Sequence, residues 1–487
     1  MFLGIDIGTS GVKAVLVDEA GAIADQSQAP LSVSRPKPGW SEQDPADWWA
    51  ATNKAVSALD ATARKRVKAA GLSGQMHGAT LLDASDRALR PAILWNDGRS
   101  EAECAELEHA VPDSRQITGN IAMPGFTAPK LLWVKKHEPD VFAATKCVLL
   151  PKDYVRLRMT GEKATDLSDA AGTLWVDVGA RAWSEAMLDA CGLSEAQMPK
   201  LCEGTAPTGR LRAELAEAWG MQRVPVAAGG GDNAAGAVGV GVIDAGDAFI
   251  SLGTSGVLFL ATEKFLPNPA RAVHAFCHCL PKRWHQMTVM LSAAACVDWA
   301  AKATGDGDTG KFLAATEARG RMDGGEIFLP YLSGERTPHN DPRARGVLFG
   351  ISHDTDRAAI GQAVLEGVAF AFADGLDALL EAGAQVGAIT VIGGGARSAW
   401  WGKVLAAALK RPLIYRTGAE EGPAFGAARL ARLSLGKERV EDVCTAPPVR
   451  AIIEPDDHHV AALAHKRIEF ARLYPALRAR FRGVDNA

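Results

Sequence analysis

Two glycine-rich loops of nearly the same sequence stand about half the chain apart. The first loop, DIGTSG, runs from Asp6 to Gly11, and the second loop, SLGTSG, runs from Ser251 to Gly256. Glycine lets backbone N–H groups approach an anion without interference from a Cβ atom, and the Thr and Ser hydroxyls add donors. The pattern predicts two phosphate-binding turns, although an ordinary hairpin turn explains either loop taken alone. The predicted phosphate contacts are Gly8, Thr9, Ser10, Lys13, Gly253, Thr254 and Ser255.

The two loops differ at their first position, where Asp6 of the first loop corresponds to Ser251 of the second. A carboxylate beside bound phosphate is repelled by it unless a cation lies between them, which makes Asp6 a candidate ligand of Mg²⁺ or of a Mg²⁺-bound water. Lys13, two residues beyond the first loop, can reach the same phosphates. The second loop lacks the acid, so we expect it to bind an anion without a metal.

Asp232 lies in a third glycine-rich stretch, GGGDNAAG, which runs from Gly229 to Gly236. Its neighbours have almost no side-chain bulk, so a substrate can lie directly against its carboxylate. Phosphoryl transfer to an alcohol needs a group that accepts the hydroxyl proton and aligns the oxygen. We predict that Asp232 is this base and a second metal contact, with Asn233 beside it in the substrate site. The alternative, that Asp232 caps a helix N-terminus, is compatible with this role.

The stretches QMHG and WNDGR offer the mixture of polar and apolar groups that a sugar pocket requires. Met76 and His77 belong to the first stretch, and Trp95 begins the second. His77 could hydrogen-bond two hydroxyl groups, so we expect Met76, His77 and Trp95 to contact the substrate. The alternatives are a structural histidine and a tryptophan that belongs to the core.

A fourth glycine-rich stretch, GGGARS, runs from Gly393 to Ser398 after the strand-like sequence AITVI. A glycine loop that opens a helix can seat an adenine ring against the backbone or receive an anion at the helix N-terminus. We expect Gly394, Gly395 and Ser398 to contact a nucleotide. A dehydrogenase is disfavoured because its fingerprint would need a glycine in the place of Ser398 and a position near the start of the chain.

Two further patterns look like a P-loop and a zinc site but are not expected to be either. The segment GDGDTGK, from Gly305 to Lys311, fits most of a P-loop, but Phe312 occupies the place of the Ser or Thr that binds Mg²⁺. A dense group of histidines and cysteines comprises His274, Cys277, His278, Cys279 and His285. In a strand its two cysteines alternate faces, and no second cysteine pair follows, so a zinc site is not expected.

The elements that position these motifs repeat along the chain. The N-terminal sequence FLGIDIGTSGVKAVLVDEAGAIADQSQ predicts strand, loop, strand, turn and strand, and GDAFISLGTSGVLFLATEKF repeats this plan from Gly246 onward. Helical periodicity recurs in both halves, including a long helix from Ala358 to Leu380 and a closing helix from His458. The 487 residues exceed what one hydrophobic core holds. We predict an α/β protein whose two related domains, residues 1–243 and 244–487, face a central cleft.

Composition argues against several classes of partner. The formal net charge of −4 provides no broad basic surface for a nucleic-acid backbone. The N-terminus reaches Asp6 before a signal peptide could form, and no apolar run approaches the roughly 18 residues that a membrane span needs. Eight cysteines in so long a chain do not form the disulfide framework of a small secreted domain. We therefore expect a cytoplasmic protein without a nucleic-acid or membrane partner.

Taken together, these motifs resemble the FGGY carbohydrate kinases over nearly the whole chain. The stretches that carry the resemblance are SRPKPGWSEQDP, SGQMHGATLLD, RPAILWNDGR, MPGFTAPKLLWV, LLPKDYVRLRMTGE, VAAGGGDNAAGAVGVG, SLGTSGV, FLPYLSGERTPHNDP and VIGGGARS. They look most like the members that act on xylulose, because the QMHG stretch is not expected in kinases for glycerol or gluconate. The resemblance implies two ribonuclease H-like, actin-like ATPase domains that close over ATP, Mg²⁺ and D-xylulose, a ketopentose.

The resemblance also implies that phosphate is moved to the terminal C5 hydroxyl of the sugar. It assigns the proton acceptor to Asp232, sugar binding to Met76 and His77, metal association to Asp6, the phosphate clamp to Thr254, and the adenosine contact to Gly394 and Gly395. Two alternatives stay open: a kinase for another ketopentose or a pentitol, such as ribulose or arabinitol, and a non-catalytic actin-like sensor of sugar or nucleotide. A sensor would need neither Asp232 nor QMHG. A homodimer is one assembly open to the chain.

Overall fold

The computed structural model describes residues 1–305, 307–417 and 422–482. The strands of the N-terminal half are β1 (Phe2–Ile7), β2 (Gly11–Val17), β3 (Ile23–Pro30), β4 (Glu42–Gln43), β5 (Ala69–Gly74), β6 (Thr80–Leu82), β7 (Ala92–Ile93), β8 (Cys147–Leu149), β9 (Ala164–Asp166), β10 (Val176–Asp177), β11 (Ala182–Trp183), β12 (Lys200–Cys202), β13 (Pro207–Arg210), β14 (Pro225–Ala227) and β15 (Gly230–Gly231). Its helices are α1 (Pro45–Ala58), α2 (Ala61–Arg64), α3 (Glu101–Ala110), α4 (Ser114–Thr118), α5 (Thr127–His137), α6 (Pro139–Ala144), α7 (Pro151–Thr160), α8 (Leu167–Ala171), α9 (Glu185–Cys191), α10 (Ala213–Ala218) and α11 (Asp232–Val240).

The strands of the C-terminal half are β16 (Ala248–Leu252), β17 (Gly256–Thr262), β18 (His274–Cys277), β19 (Trp284–Met290), β20 (Ile327–Leu329), β21 (Val347–Phe349), β22 (Ile389–Ile392), β23 (Leu413–Arg416) and β24 (Val449–Ile453). Its helices are α12 (Ala294–Ala303), α13 (Thr309–Arg319), α14 (Arg357–Glu381), α15 (Ala399–Leu409), α16 (Gly422–Leu433), α17 (Val440–Val443) and α18 (Asp457–Phe481). Short 3₁₀ turns occur at Glu195–Gln197, Pro269–Arg271 and Gly394–Arg397.

Each half is built around a mixed sheet. In the N-terminal half, β1, β2 and β3 form an antiparallel meander, β5 lies parallel to β1 on its other side, and β14 and β13 follow. In the C-terminal half, β16, β17 and β19 form the antiparallel part, and β22 and β23 lie parallel to β16. In both sheets, therefore, three antiparallel strands are followed by a strand that lies parallel to the first of them. This shared order confirms the predicted α/β fold with a repeated plan.

Separate hydrophobic cores lie on the two sheets. The N-terminal core joins β1, β2 and β5 to the buried face of α1, including Trp48 and Val56. The C-terminal core surrounds α14, whose 25 residues are buried along most of their length. Burial of each large apolar side chain contributes roughly 1.5–3 kcal/mol relative to leaving it exposed. The long helix and the closing helix that the sequence predicts both form, as α14 and α18.

Helix α16 belongs to the C-terminal half of the sequence but packs on the N-terminal sheet. Gly4 and Gly71 face it so closely that a Cβ atom on either would lie 1.9 Å from the Ala424 carbonyl oxygen or 2.1 Å from that of Ala427. On its other side, α16 contacts α11 with a similar lack of space at Gly426. Glycine is therefore required at these positions for backbone to touch backbone, and the two halves are joined through this helix.

The structure also describes most of the P-loop-like segment and the group of histidines and cysteines, neither of which is expected to be a functional site. Asp308 caps α13 by accepting a hydrogen bond from the Lys311 amide, so this part of the P-loop-like segment begins a helix, while Asp306 lies outside the described residues. Within the described ranges, ligand atoms of three potential metal-binding side chains converge only at Asp456, His458 and His459, not in the group around Cys277. Of the helices that the structure describes, none is both long and apolar enough to span a bilayer.

Candidate active site

Three neighbouring strands bring the first loop and the third glycine-rich stretch to one edge of the N-terminal sheet. In the register of β1, β5 and β15, Asp6 is opposite Ser73, and Ser73 is opposite Gly230. Asp232 follows β15 directly as the first residue of α11. The first loop closes as a tight turn, because the Gly8 amide donates to the Gly11 carbonyl at 3.0 Å. Asp6 and Asp232 therefore lie at the carboxyl ends of β1 and β15, two strands that both pair with β5.

Asp6 is partly buried, and its Oδ1 atom is buried without a hydrogen-bond partner among the described residues. Burial and, to a smaller extent, the negative charge of Asp232 raise the pKa of Asp6 to about 7, while Ser73 and Lys13 act in the opposite direction. Lys13 lies opposite Asp6 in the β1–β2 pair. Two carboxylates that repel one another in a buried site are stabilised by a cation held between them. Asp6 and Asp232 thus form a donor set that fits Mg²⁺.

Asp232 begins α11, but Gly231 occupies the N-cap position, so the alternative interpretation of Asp232 as the cap of this helix is wrong. Asp232 Oδ1 instead accepts hydrogen bonds from the backbone amide of Asn233 at 2.7 Å and from its side-chain Nδ2 at 2.9 Å. These bonds fix the carboxylate and leave Oδ2 for another group. Burial raises the pKa of Asp232 to about 6, and the bonds from Asn233 limit the rise.

A buried polar group lies beneath Asp232, and sequence reasoning missed it. The Gly231 amide donates to Ser168 Oγ at 3.1 Å, and Ser168 Oγ donates to Asp166 Oδ2 at 2.5 Å. Lys152 Nζ lies 2.9 Å from Asp166 and 3.2 Å from Asp169, and all of these side chains are fully buried. Burying a lysine is costly, and the surrounding carboxylates offset part of this cost. The signal in the sequence that could have indicated this buried group is the presence of charged residues inside the stretches LLPKDY and TDLSD.

His77 and Met76 follow β5 and lie against the same loop. Met76 packs where a Cβ atom on Gly231 would be, which places its side chain beside the Asp232 segment. His77 Nδ1 lies 2.6 Å from the Gly172 carbonyl oxygen, and its ring packs edge-on against Phe126 with centroids 4.7 Å apart. Burial lowers the pKa of His77 to about 3. The ring is therefore neutral, Nδ1 carries the hydrogen, and Nε2 is an acceptor for a hydroxyl group.

The backbone of His77 is held in an uncommon conformation, with φ at +69°. Lys130 Nζ donates to the His77 carbonyl oxygen at 2.9 Å, and Thr127 Oγ1 donates to it at 3.2 Å. Both donors come from α5, which starts at Thr127. Positive φ is uncommon for a residue other than glycine, and these two hydrogen bonds hold the His77 backbone in this conformation.

Thr9 links the first loop to the residues predicted to bind the sugar. Its hydroxyl donates to Gln75 Oε1 at 2.9 Å and accepts from Trp95 Nε1 at 3.0 Å. Trp95 is 49 % exposed, so it is not the core residue of the alternative interpretation. Because the Thr9 hydroxyl hydrogen is already donated, a phosphate contact from this residue would come from its backbone amide. Ser10 remains exposed at the tip of the loop.

The second loop and the fourth glycine-rich stretch lie together in the C-terminal half. Gly393 and Gly395 pack against Leu252, the residue that precedes the Gly253 turn. Thr254 and Ser255 are exposed, and the carbonyl groups of Gly253 and Thr254 accept hydrogen bonds from the first amides of α12. Gly394 is exposed as well, with open space where a Cβ atom would be.

Ser398 plays a local role next to this group. Its hydroxyl caps α15 by accepting a hydrogen bond from the Trp401 amide at 3.2 Å. The structure thus places the predicted phosphate and adenosine contacts of the second loop side by side, with Ser398 at the start of the helix behind them.

Comparison with known proteins gives this arrangement a family. The N-terminal domain of the FGGY family of carbohydrate kinases matches residues 1–239, and its C-terminal domain matches residues 248–435. The chain is 56 % identical over 479 residues to the xylulose kinase of Escherichia coli strain K12, covering 98 % of this chain and 99 % of that protein. It is 55 % identical to the xylulose kinase of Klebsiella pneumoniae over 480 residues, with the same shares covered.

Solved structures agree with these relatives. The crystal structure of the xylulose kinase from Rhodospirillum rubrum is 28 % identical, has a TM-score of 0.90 and covers 99 % of both chains. That of a "xyloylose kinase" from Brucella ovis is 51 % identical with a TM-score of 0.95, covering 98 % of this chain and 99 % of that one. The two matched domains together span most of the 487 residues, and the chain belongs to the FGGY family of carbohydrate kinases.

Proposed function

We propose that this protein phosphorylates D-xylulose with ATP at the C5 hydroxyl, giving D-xylulose 5-phosphate in the breakdown of xylose. Relatives at 55–56 % identity over nearly the whole chain are named as xylulose kinases, which supports the choice of sugar. The observation that carries the chemistry is the Asp232 carboxylate, held through Oδ1 by Asn233 in a loop of glycines, with Oδ2 left for a hydroxyl group.

Asp232 is the proposed general base. Its raised pKa of about 6 keeps it ionised at neutral pH and makes it a stronger base than an exposed aspartate. It accepts the C5 hydroxyl proton as the oxygen attacks the γ-phosphorus of ATP and the bond from that phosphorus to the β,γ-bridging oxygen breaks, releasing ADP. Neutral His77 accepts a hydrogen bond from another sugar hydroxyl at Nε2. Met76 and Trp95 supply the apolar part of the pocket.

The cofactor assignment rests on the same geometry. Asp6 and Asp232 would hold Mg²⁺, which on binding neutralises charge on the phosphates. Gly8, Ser10 and Lys13 are proposed to contact the phosphates from the N-terminal half, and the backbone amides of the second loop from the other half. Gly394 and Gly395 are proposed to contact the adenosine. The expected cytoplasmic location and the homodimer remain predictions.

An assay of ADP release with D-xylulose, L-xylulose, D-ribulose, L-ribulose, D-arabinitol and glycerol tests the proposal. We expect the highest kcat/KM with D-xylulose. A higher value with ribulose or arabinitol would transfer the assignment to the alternative pentulose or pentitol kinase. No ADP release with any of these compounds, together with tight binding of ATP and sugar, would favour the sensor.

The Asp232→Ala variant isolates the base in the same assay. We expect it to lose sugar phosphorylation while its affinity for ATP, measured by calorimetry, stays within about threefold of wild type. Turnover close to the wild-type value would refute the base assignment without affecting the substrate assignment.

A further inference from the structure

Arg336 lies on the connection between β20 and β21, and this connection is fixed to the C-terminal sheet on both sides of the arginine. Glu335 Oε1 accepts hydrogen bonds from the amides of Arg336 at 2.8 Å and Leu291 at 3.0 Å. Thr337 exchanges hydrogen bonds with Val289 of β19, each 3.1 Å long. The backbone of Arg336 is therefore held in place.

The side chain of Arg336 points toward the predicted sugar pocket. Its Nη1 lies 3.5 Å from His274 Nε2, while His274 Nδ1 lies 2.9 Å from Asn120 Oδ1. The Phe126 ring packs edge-on against both His274 and His77, with centroids 5.6 Å and 4.7 Å away. The positive charge of Arg336 also contributes to the lowered pKa of His77 and of His274. Arg336 thus reaches the neighbourhood of His77 from the opposite half of the chain.

Arg336 has no carboxylate partner for its guanidinium within the described ranges. The carboxylate of the adjacent Glu335 accepts hydrogen bonds from backbone amides instead of forming an ion pair with Arg336, although its charge opposes the lowering of the Arg336 pKa. Burial lowers the pKa of Arg336 itself. Removing a cation from water without a counter-charge is costly, and such groups are retained where a ligand completes their hydrogen bonds. Arg336 as a whole residue is only partly exposed to solvent.

A chain of contacts links the proposed base to Arg336. Asp232 adjoins Gly231, Gly231 touches Met76, and Met76 and His77 both pack against Gly172. From His77 the contacts continue through Phe126 and His274 to Arg336. A linear sugar with its reacting hydroxyl at Asp232 would extend past His77 and present its other end to Arg336.

We infer that Arg336 binds the ketone end of the sugar, donating hydrogen bonds to the C2 carbonyl oxygen, and so makes the site select a ketopentose over a pentitol. The inference rests on the proposed function. A guanidinium offers N–H donors and no acceptor, which suits an oxygen that carries no hydrogen. A pentitol hydroxyl at C2 would have to turn its hydrogen toward another acceptor. Holding the carbonyl also keeps the sugar open, and only the open form has a free C5 hydroxyl.

The test compares wild type with Arg336→Met, Arg336→Gln and the control Arg343→Met, whose arginine is exposed on the same connection. Loss of a hydrogen bond to a charged group corresponds to about 10–100-fold in kcat/KM. We expect this loss for D-xylulose with Arg336→Met, with KM for ATP unchanged. The inhibition constant of D-arabinitol against D-xylulose should change less than about threefold. Arg343→Met should match wild type for both compounds.

Several outcomes would overturn the inference. If Arg336→Met weakens the binding of D-arabinitol tenfold and lowers kcat/KM for D-xylulose by the same factor, Arg336 does not recognise the C2 carbonyl group. A selective rise in KM for ATP would place Arg336 in the nucleotide site. If Arg336→Met is unfolded by circular dichroism, Arg336→Gln decides, since wild-type preference for the ketose in a variant that has lost the charged donor contradicts the role of the guanidinium. Failure of wild type to phosphorylate D-xylulose would refute the proposed function itself.

Discussion

His77 Nδ1 donates a hydrogen bond of 2.6 Å to the carbonyl oxygen of Gly172, the residue that follows helix α8. The bond sets the tautomer of the ring, because the donor nitrogen must carry the hydrogen. The neutral ring, whose pKa is lowered to about 3, then presents a bare Nε2 to the pocket. One local hydrogen bond thereby decides whether this histidine accepts or donates toward a sugar.

His77→Ala should raise KM for the sugar about 10–100-fold and leave KM for ATP unchanged, because it removes one acceptor from the pocket. The matched variant His77→Asn can keep a donor near Gly172 while losing the Nε2 acceptor. It should show a loss similar to that of His77→Ala. Steady-state kinetics with each substrate varied in turn provide the measurement. Selective loss of ATP affinity in either variant would contradict the sugar-binding role.

Asp6→Asn should raise the Mg²⁺ concentration needed for half-maximal activity by about tenfold or more, since it removes a charged oxygen from the proposed metal site. Chelation of Mg²⁺ should stop the wild-type reaction, and added Mg²⁺ should restore it. Titrations of activity against free Mg²⁺ at saturating ATP give both values. An unchanged Mg²⁺ dependence in Asp6→Asn would remove this residue from the metal site.

Ser168→Ala should lower kcat by about tenfold with little change in either KM, because the Gly231 amide loses its acceptor and Asp232 is held less firmly. Ser434→Ala is a matched control, since that hydroxyl donates to the Ala431 carbonyl oxygen, in helix α16. Thermal melts of both variants show whether stability changes together with kcat. Equal effects on kcat in the two variants would refute a positioning role for Ser168.

Glu335→Gln should remove a pH dependence of stability. Burial raises the pKa of Glu335 from 4.5 to about 8, so the folded protein binds this proton more tightly than the unfolded chain. Its favourable contribution is complete below about pH 4.5 and is lost as the pH rises through about 8, at about 1.4 kcal/mol for each pKa unit. Urea unfolding at pH 6 and pH 8.5 should show a smaller difference for Glu335→Gln than for wild type.

The control for this experiment is Glu317→Gln, which changes an exposed glutamate in the same half. Its difference between the two pH values should equal that of wild type. The same slope in Glu335→Gln as in wild type would mean that Glu335 is already ionised in the folded protein at pH 6.

The repeated strands and loops could be predicted from the sequence because their signals are local. A short apolar run followed by Gly, Thr and Ser identifies a strand and a turn without knowledge of distant residues. The same holds for Asp232, whose small neighbours are visible in the chain. Local signals did not distinguish a helix cap from the first helical residue, since the two differ by one position and helix ends are the least certain features of a sequence.

Other parts of the site depend on contacts that no short pattern reveals. From the sequence alone, Lys152 is expected at the surface. Its burial is explained by Asp166 and Asp169, which the fold brings next to its ammonium group. Arg336 was visible within the stretch FLPYLSGERTPHNDP, but its position near His77 requires two halves of the chain to meet. The contact between Gly4 and Ala424 joins residues at opposite ends of the sequence. Periodicity therefore predicts elements, and tertiary contact decides which of them share a site.

Helix α16 belongs to the second half of the sequence but packs on β1 and β5 of the first half, so the two halves share a hydrophobic core. A cut near residue 243 would leave the N-terminal sheet without the helix that covers Gly4 and Gly71, and would expose Phe425 and Ala428 on the other fragment. The N-terminal sheet therefore depends on a helix from the C-terminal half of the sequence to complete its packing. Fragments of this chain should regain structure only when they fold together.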